Sequence, residues 1–208
     1  MLQNVSNKLE VGQTLSVIKS ESKQILESRA YSQEQVSIIS NAQNERNGLA
    51  TEIAHSAGLR AHELHTLQRI EERKPDDRPS HEMKFSGRDG VRYTVHGKGG
   101  LVREIQLPQH LAERLEERRL DTPKQITDRG VHYQTHYDIA AGKSWSNSFS
   151  AASNRALSWS TGAHGLRHSY AQERMSELQN HLPREQALEV VSQELGHFRP
   201  EITEVYLR

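Results

Sequence analysis

The chain has 208 residues and not one of them is cysteine. That absence removes disulfides, thiolate zinc sites and cysteine nucleophiles together, and it suits a reducing compartment. Aromatic residues make up only 5% of the chain and hydrophobic residues 34%, with a mean hydropathy of -0.81. No stretch approaches the roughly 18 apolar residues of a membrane span, so no membrane partner is expected. The opening MLQNVSNKLEVGQ lacks a basic segment followed by an apolar one and a small-residue cleavage site. Export is therefore not expected, and the expected location is cytoplasmic. A surplus of one charge is also missing, since 27 basic residues meet 27 acidic ones. Balanced charge argues against the usual basic nucleic-acid-binding domain. The distribution partly offsets this: residues 80 to 160 hold 12 Lys and Arg against 9 Asp and Glu, a net of +3, whereas residues 161 to 208 hold 5 against 7. A mid-chain basic face of that kind suits phosphate tracking.

What is present reads as one domain preceded by a short lead-in. Residues 1 to 30 show weak helical periodicity through Leu9, Leu15, Ile18 and Ile25. They read as a helical or partly disordered arm. Ser32 is a candidate N-cap for a helix through Val36, Ile38 and Ile39. Leu49, Ile53 and Ala57 predict a helix stopped by Gly58, and Leu64, Leu67 and Ile70 predict a second one starting at Arg60. Glu71 to Ser80 is a charged loop with prolines. Arg92 to His96 and Leu101 to Leu107 alternate apolar with polar residues about Gly97-Lys98-Gly99-Gly100, which predicts a β-hairpin with Lys98 at its tip. Pro108 opens a predicted helix over QHLAERLEERRL. Gly130 to Tyr137 reads as a possible strand, AAGKSWSN after it as an irregular loop, and Ser148 to Leu157 as a short helix. Pro183 starts a helix carrying Leu188, Val191 and Leu195, which Gly196 terminates. Pro200 starts a last short helix that carries Tyr206. The predicted fold class is α+β, mainly helical, with a small antiparallel β-sheet.

The chemistry concentrates in the last forty-eight residues, from TGAHGLRHSYA to LGHFRPEITEVYLR. His164 and Arg167 lie one helical turn apart and reach the same spot. His197 follows the Leu195-Gly196 stop, and Tyr206 comes nine residues later. Two histidines, an arginine and a tyrosine then converge on an anion site with a potential nucleophile. Histidine spacing also raises zinc, through His132 and His136, or His164 and His168. However, His62-Glu63-Leu64-His65 is one residue short of H-E-x-x-H and no further ligand follows at the needed spacing, so no metal or cofactor is expected. His168, in line with Ala171, Met175 and Leu178, reads as a core histidine.

His164-Gly165-Leu166-Arg167, Leu195-Gly196-His197 and Tyr206 resemble, in order and spacing, the H-x-x-R, L-G-H and Y boxes of the tyrosine recombinases, the phage-integrase family. Gly58-Leu59-Arg60-Ala61-His62-Glu63-Leu64 is similar to the family's G-x-R-x-x-E-L box, and Ser32 to Val36 to the step that opens its catalytic domain. The resemblance covers about residues 31 to 208. It implies a site-specific recombinase acting on double-stranded DNA, with Tyr206 as nucleophile forming a 3′-phosphotyrosine link and no nucleotide consumed. It also implies Arg60 and Arg167 as a phosphate clamp, Glu63 as their support, and Lys98 as general acid on the hairpin turn, with Arg103 preserved behind it. His164 and His197 would hydrogen-bond the phosphate or take the tyrosine proton.

The family's core-binding domain is not expected in residues 1 to 30, and its helix beyond the tyrosine is not expected after Arg208. The expectation is a homotetramer on DNA for a full-length protein, but a monomer with weak, salt-dependent DNA binding for this chain. Type IB topoisomerase-like relaxation is one alternative. A non-catalytic DNA-binding remnant of a mobile element is the other.

Overall fold

The computed structural model describes residues 28–208. Most of the expected lead-in over residues 1 to 30 therefore lies outside the described residues. Tyr31 ties the start of the described chain to the rest: its backbone N–H donates to Ser169 Oγ at 2.8 Å, and its hydroxyl accepts from the Thr161 N–H at 2.7 Å. Its ring stacks on Trp159 and meets the edge of Phe149.

Helix α1 (Gln33–Asn41) opens with a capping box, Ser32 Oγ accepting from the Gln35 N–H while Gln35 Oε1 accepts from the Ser32 N–H. Two of the first unpaired helix donors are thereby satisfied, as the serine in the sequence suggests. Helix α2 (Glu45–Ser56) is capped by Asn44 and buries Leu49, Ala50, Ile53 and Ala54. Gly58 then takes φ of +58°, and a Cβ there would stand 2.8 Å from Leu195 Cδ2 and 2.9 Å from the Tyr170 ring. Only glycine fits both the backbone and the space.

The second helix predicted from Arg60 does not form. A single 3-10 turn, Glu63–Thr66, is followed by strand β1 (Gln68–Arg69), which pairs antiparallel with β2 (Val91–His96). Backbone pairing of Gln68 with Thr94 and of Arg69 with Tyr93 overrides the i, i+3, i+6 apolar spacing and takes the chain out of helical geometry. Strand β3 (Val102–Leu107) completes the sheet in the order β1-β2-β3, and the turn Lys98–Gly100 joins β2 to β3 as predicted.

Helix α3 (Gln109–Glu116) is shorter than its charged sequence suggested, and Arg119–Asp128 is strand β4, paired with β5 (Val131–Tyr137). Pro123 sits where the register shifts between Arg119 and Lys124, a place where a strand tolerates a missing N–H. Arg129 and Gly130, both with positive φ, make the two-residue turn. Helix α4 spans Gly142–Leu157, so all but the first two residues of the stretch read as an irregular loop are helical. Trp145 and Phe149, one turn apart and fully buried, explain that extension, each contributing roughly 1.5–3 kcal/mol of apolar burial.

Helix α5 (Gly165–Leu178), α6 (Arg184–Glu194) and α7 (Pro200–Thr203) complete the seven helices among the described residues, with a terminal 3-10 turn at Glu204–Leu207. Two apolar clusters result. One gathers α1, α2, α4 and the inner face of the three-stranded sheet and ends at Leu166; the other runs from Tyr170 through α6 to Tyr206. Arg167 lies at their seam. No helix among the described residues is long and apolar enough to cross a membrane.

Candidate active site

Helix α6 ends in a Schellman motif: the Gly196 N–H donates to Gln193 O and the His197 N–H to Ser192 O, with Gly196 at φ of +72°. This fold-back delivers His197 to Arg167. The Arg167 side chain is 0% exposed, and its Nη1 donates to Gly58 O and its Nη2 to Leu195 O and, at 2.9 Å, to His197 Nε2. Because Nε2 accepts that bond, His197 carries its proton on Nδ1 and donates it to Thr203 Oγ1 at 3.0 Å. Arg167 Nε is buried with no hydrogen-bond partner among the described residues.

Arg60 sits on the turn after Gly58. Its Nη1 donates to Glu63 Oε1 at 2.9 Å and its backbone N–H to Glu63 Oε2 at 2.8 Å. Glu63 is 0% exposed, and Arg103 Nη2 donates to its Oε2 at 2.7 Å. Burial would raise the Glu63 carboxyl, but Arg103, Arg167 and Arg60 outweigh it and hold the group well below the usual carboxylate range. Three guanidiniums around one carboxylate leave a local surplus of two positive charges, which is what an incoming anion needs.

Tyr206, only 9% exposed, packs into this arrangement. Its ring lies 5.1 Å from that of His197, 5.4 Å from His164 and 4.8 Å from His168, with the Arg167 guanidinium carbon 5.5 Å from its centroid. Gln172 Nε2 donates to Tyr206 O and Arg208 O and so holds the terminal turn against α5. The outward displacement that a short terminal helix could allow is not what the structure has. Lys98 opens the hairpin turn Lys98–Gly100. The base of that turn approaches Glu63, a Cβ at Gly97 falling 3.6 Å from Glu63 Oε1. The turn also borders a cleft of about 480 Å³ with His62, His96, Arg129, His132 and Lys143 on its walls.

No protein-family model matches the chain, and no curated protein matches it. Solved structures do. The XerH site-specific recombinase bound to its difH substrate superimposes with a TM-score of 0.52 at 20% identity, over 86% of this chain and 50% of that one. The Tn1549 transposon integrase in complex with circular intermediate DNA gives 0.51 at 16%, over 88% and 63%. The chain has the fold of a tyrosine recombinase catalytic domain. It spans about half the length of the XerH chain. Within that fold the sequence-predicted Arg60, Glu63, Arg167, His197, His164 and Tyr206 form one connected cluster, and Lys98 lies on the turn whose base touches it.

Two members of the cluster carry no catalytic role in the sequence reading. His168 is a buried histidine, as its spacing predicted, but its ring also packs against Tyr206; the i, i+4 relation to His164 was the available signal. Arg103 was read only as part of the hairpin pattern, and it is a buried partner of Glu63.

His164, His168 and His197 are neutral at pH 7. Burial, then the nearby Arg167, lowers His164 to about 4 and His197 to about 3; burial, then Arg29, lowers His168 to about 4. In the unfolded chain each titrates near 6.5, so between about pH 6.5 and 4 the unfolded state binds more protons. Their contribution to stability is complete above pH 6.5 and is lost as pH falls toward 4. Melting curves should therefore show a lower transition temperature at pH 5 than at pH 7.5, with a shallower decline in His168→Gln. Equal slopes for the two proteins would contradict this assignment of His168.

Proposed function

We propose that this chain cuts and rejoins double-stranded DNA through a covalent 3′-phosphotyrosine intermediate, as a site-specific recombinase. The observation that carries the reading is the enclosure of the Tyr206 ring by His164, His168, His197 and Arg167, beside the Glu63-bound Arg60. The Tyr206 oxygen attacks the scissile phosphate and the bond to the 5′ oxygen breaks, leaving tyrosine joined to the 3′ phosphate and a free 5′ hydroxyl. The energy of the broken bond is kept in the new ester, so rejoining needs no nucleotide.

Each remaining side chain has a part in that step. Arg60, and Arg167 through the Nε–H that has no partner among the described residues, stabilise the charge that grows on the non-bridging oxygens. Lys98, on its turn, supplies the proton to the departing 5′ oxygen. Both His197 nitrogens are already committed, one accepting from Arg167 and one donating to Thr203, which makes His164 the better acceptor for the tyrosine proton. The His164 ring lies 5.4 Å from that of Tyr206 and makes no side-chain hydrogen bond among the described residues, so it has a nitrogen open to that proton.

The partner is duplex DNA, and a tetramer assembles on its attachment site. The test is covalent capture from a randomised pool of nicked duplexes, washed under denaturing conditions. Recovery of a shared sequence by the wild-type chain supports site-specific cleavage. Adducts on every sequence, with relaxation of supercoiled DNA lacking any selected site, would point to a topoisomerase-like enzyme instead, and a pool that yields no adducts would sink both.

A further inference from the structure

Arg103 has no place in the chemistry above, yet it is 3% exposed and its whole fork is engaged. From strand β3 its Nη2 donates to Glu63 Oε2 at 2.7 Å and reaches Gly58 O at 3.4 Å, its Nη1 donates to Glu194 O at 2.7 Å, and its Nε lies 3.5 Å from Glu63 Oε1. A Cβ at Gly196 would stand 2.7 Å from Arg103 Cδ, so the L-G-H turn is seated directly on this side chain. The acceptors are shared or adjacent to those of Arg167: both arginines reach Gly58 O, while Glu194 O and Leu195 O are neighbours. Arg103 thus joins three segments, the Arg60 turn, the end of α6 that presents His197, and the hairpin that carries Lys98.

We propose that Arg103 is a positioning residue for strand cleavage: one guanidinium fixes Glu63, and through it Arg60, to the end of α6 and to the β2-β3 hairpin, so that the phosphate clamp and the Lys98 turn keep one geometry. The inference rests on the strand-cleavage reading. A planar five-donor fork is what this needs. A lysine keeps the charge beside Glu63 but cannot hold a carboxylate and two backbone carbonyls in three fixed directions.

Arg103→Lys separates geometry from charge. The expected result is a DNA dissociation constant within about twofold of wild type and a single-turnover cleavage rate lower by about 10- to 100-fold, the scale of a misplaced reacting group, unrecovered at saturating DNA. In arginine-labelled protein the Arg60 guanidinium signal should move toward the position of free arginine. If Arg103→Lys unfolds, Arg103→Ala with added methylguanidinium carries the same test, since that ion refills the vacated fork and should restore both readouts, whereas methylammonium should not. An unchanged Arg60 signal, a wild-type rate, or equal rescue by methylammonium would each overturn the proposal. A wild-type chain that cleaves no DNA contradicts the cleavage reading instead, and the Arg60 signal still decides the role of Arg103.

Discussion

Arg167→Lys should lower the rate of covalent strand cleavage by about 10²–10³-fold while leaving the site's net charge unchanged. The wild-type guanidinium is fully buried and held by Gly58 O, Leu195 O and His197 Nε2, so its orientation toward Tyr206 is set before any phosphate arrives. An ammonium on a flexible stem can satisfy one of those acceptors well, and then presents no second donor at a fixed angle. The orphaned carbonyls add a stability loss of about 1–3 kcal/mol, a fall in melting temperature of several degrees. Quench-flow measurement of adduct formation at saturating DNA, with a melting curve on the same sample, checks both. A lysine variant that cleaves at the wild-type rate would show that Arg167 acts only as a buried structural cation.

Tyr206→Phe separates chemistry from architecture even more sharply. The Tyr206 hydroxyl has no hydrogen-bond partner among the described residues, while its ring makes all four contacts with His164, His168, His197 and Arg167. Removing one oxygen therefore leaves the packing intact, and the melting temperature should stay within about 2 °C of wild type, as for a change that breaks none of the large stabilising interactions. DNA affinity should be equally unmoved. Adduct formation should fall below detection, because phenylalanine has no nucleophile to offer. Residual adduct from this variant would assign the attack to another side chain.

Local features were the legible ones. The Ser32 cap, the Gly58 stop, the glycine turn at 97–100 and the Gly196 stop each rest on backbone requirements that neighbouring residues reveal. The boxes around Arg60, Arg167 and His197 were readable for the same reason, since the glycines that place them are part of the motif. Features decided by distant partners were hidden. Leu64, Leu67 and Ile70 carried a helical spacing, and pairing of Gln68 and Arg69 with β2 defeated it. Strand β4 is polar and largely exposed and contains Pro123, so it offered no alternation to mark it, and its first residues were absorbed into the preceding helix. Helix α4 was cut short because Gly142-Lys143-Ser144 resembles a loop until Trp145 finds Thr51 and the α2 core behind it. Arg103 read as a hairpin charge, and only the return of Glu63 and the end of α6 to the same point reveals it as buried.

One bond defines the mechanism, between the oxygen of Tyr206 and a 3′ phosphate. Digesting the captured protein–DNA adduct with protease and nuclease, then sequencing the nucleotide-bearing peptide by mass spectrometry, locates it. The expected result is a single modified residue, Tyr206, carrying a 3′-linked nucleotide, with a free 5′ hydroxyl on the released strand. A nucleotide on any other residue, or a 5′ linkage on Tyr206, would contradict it.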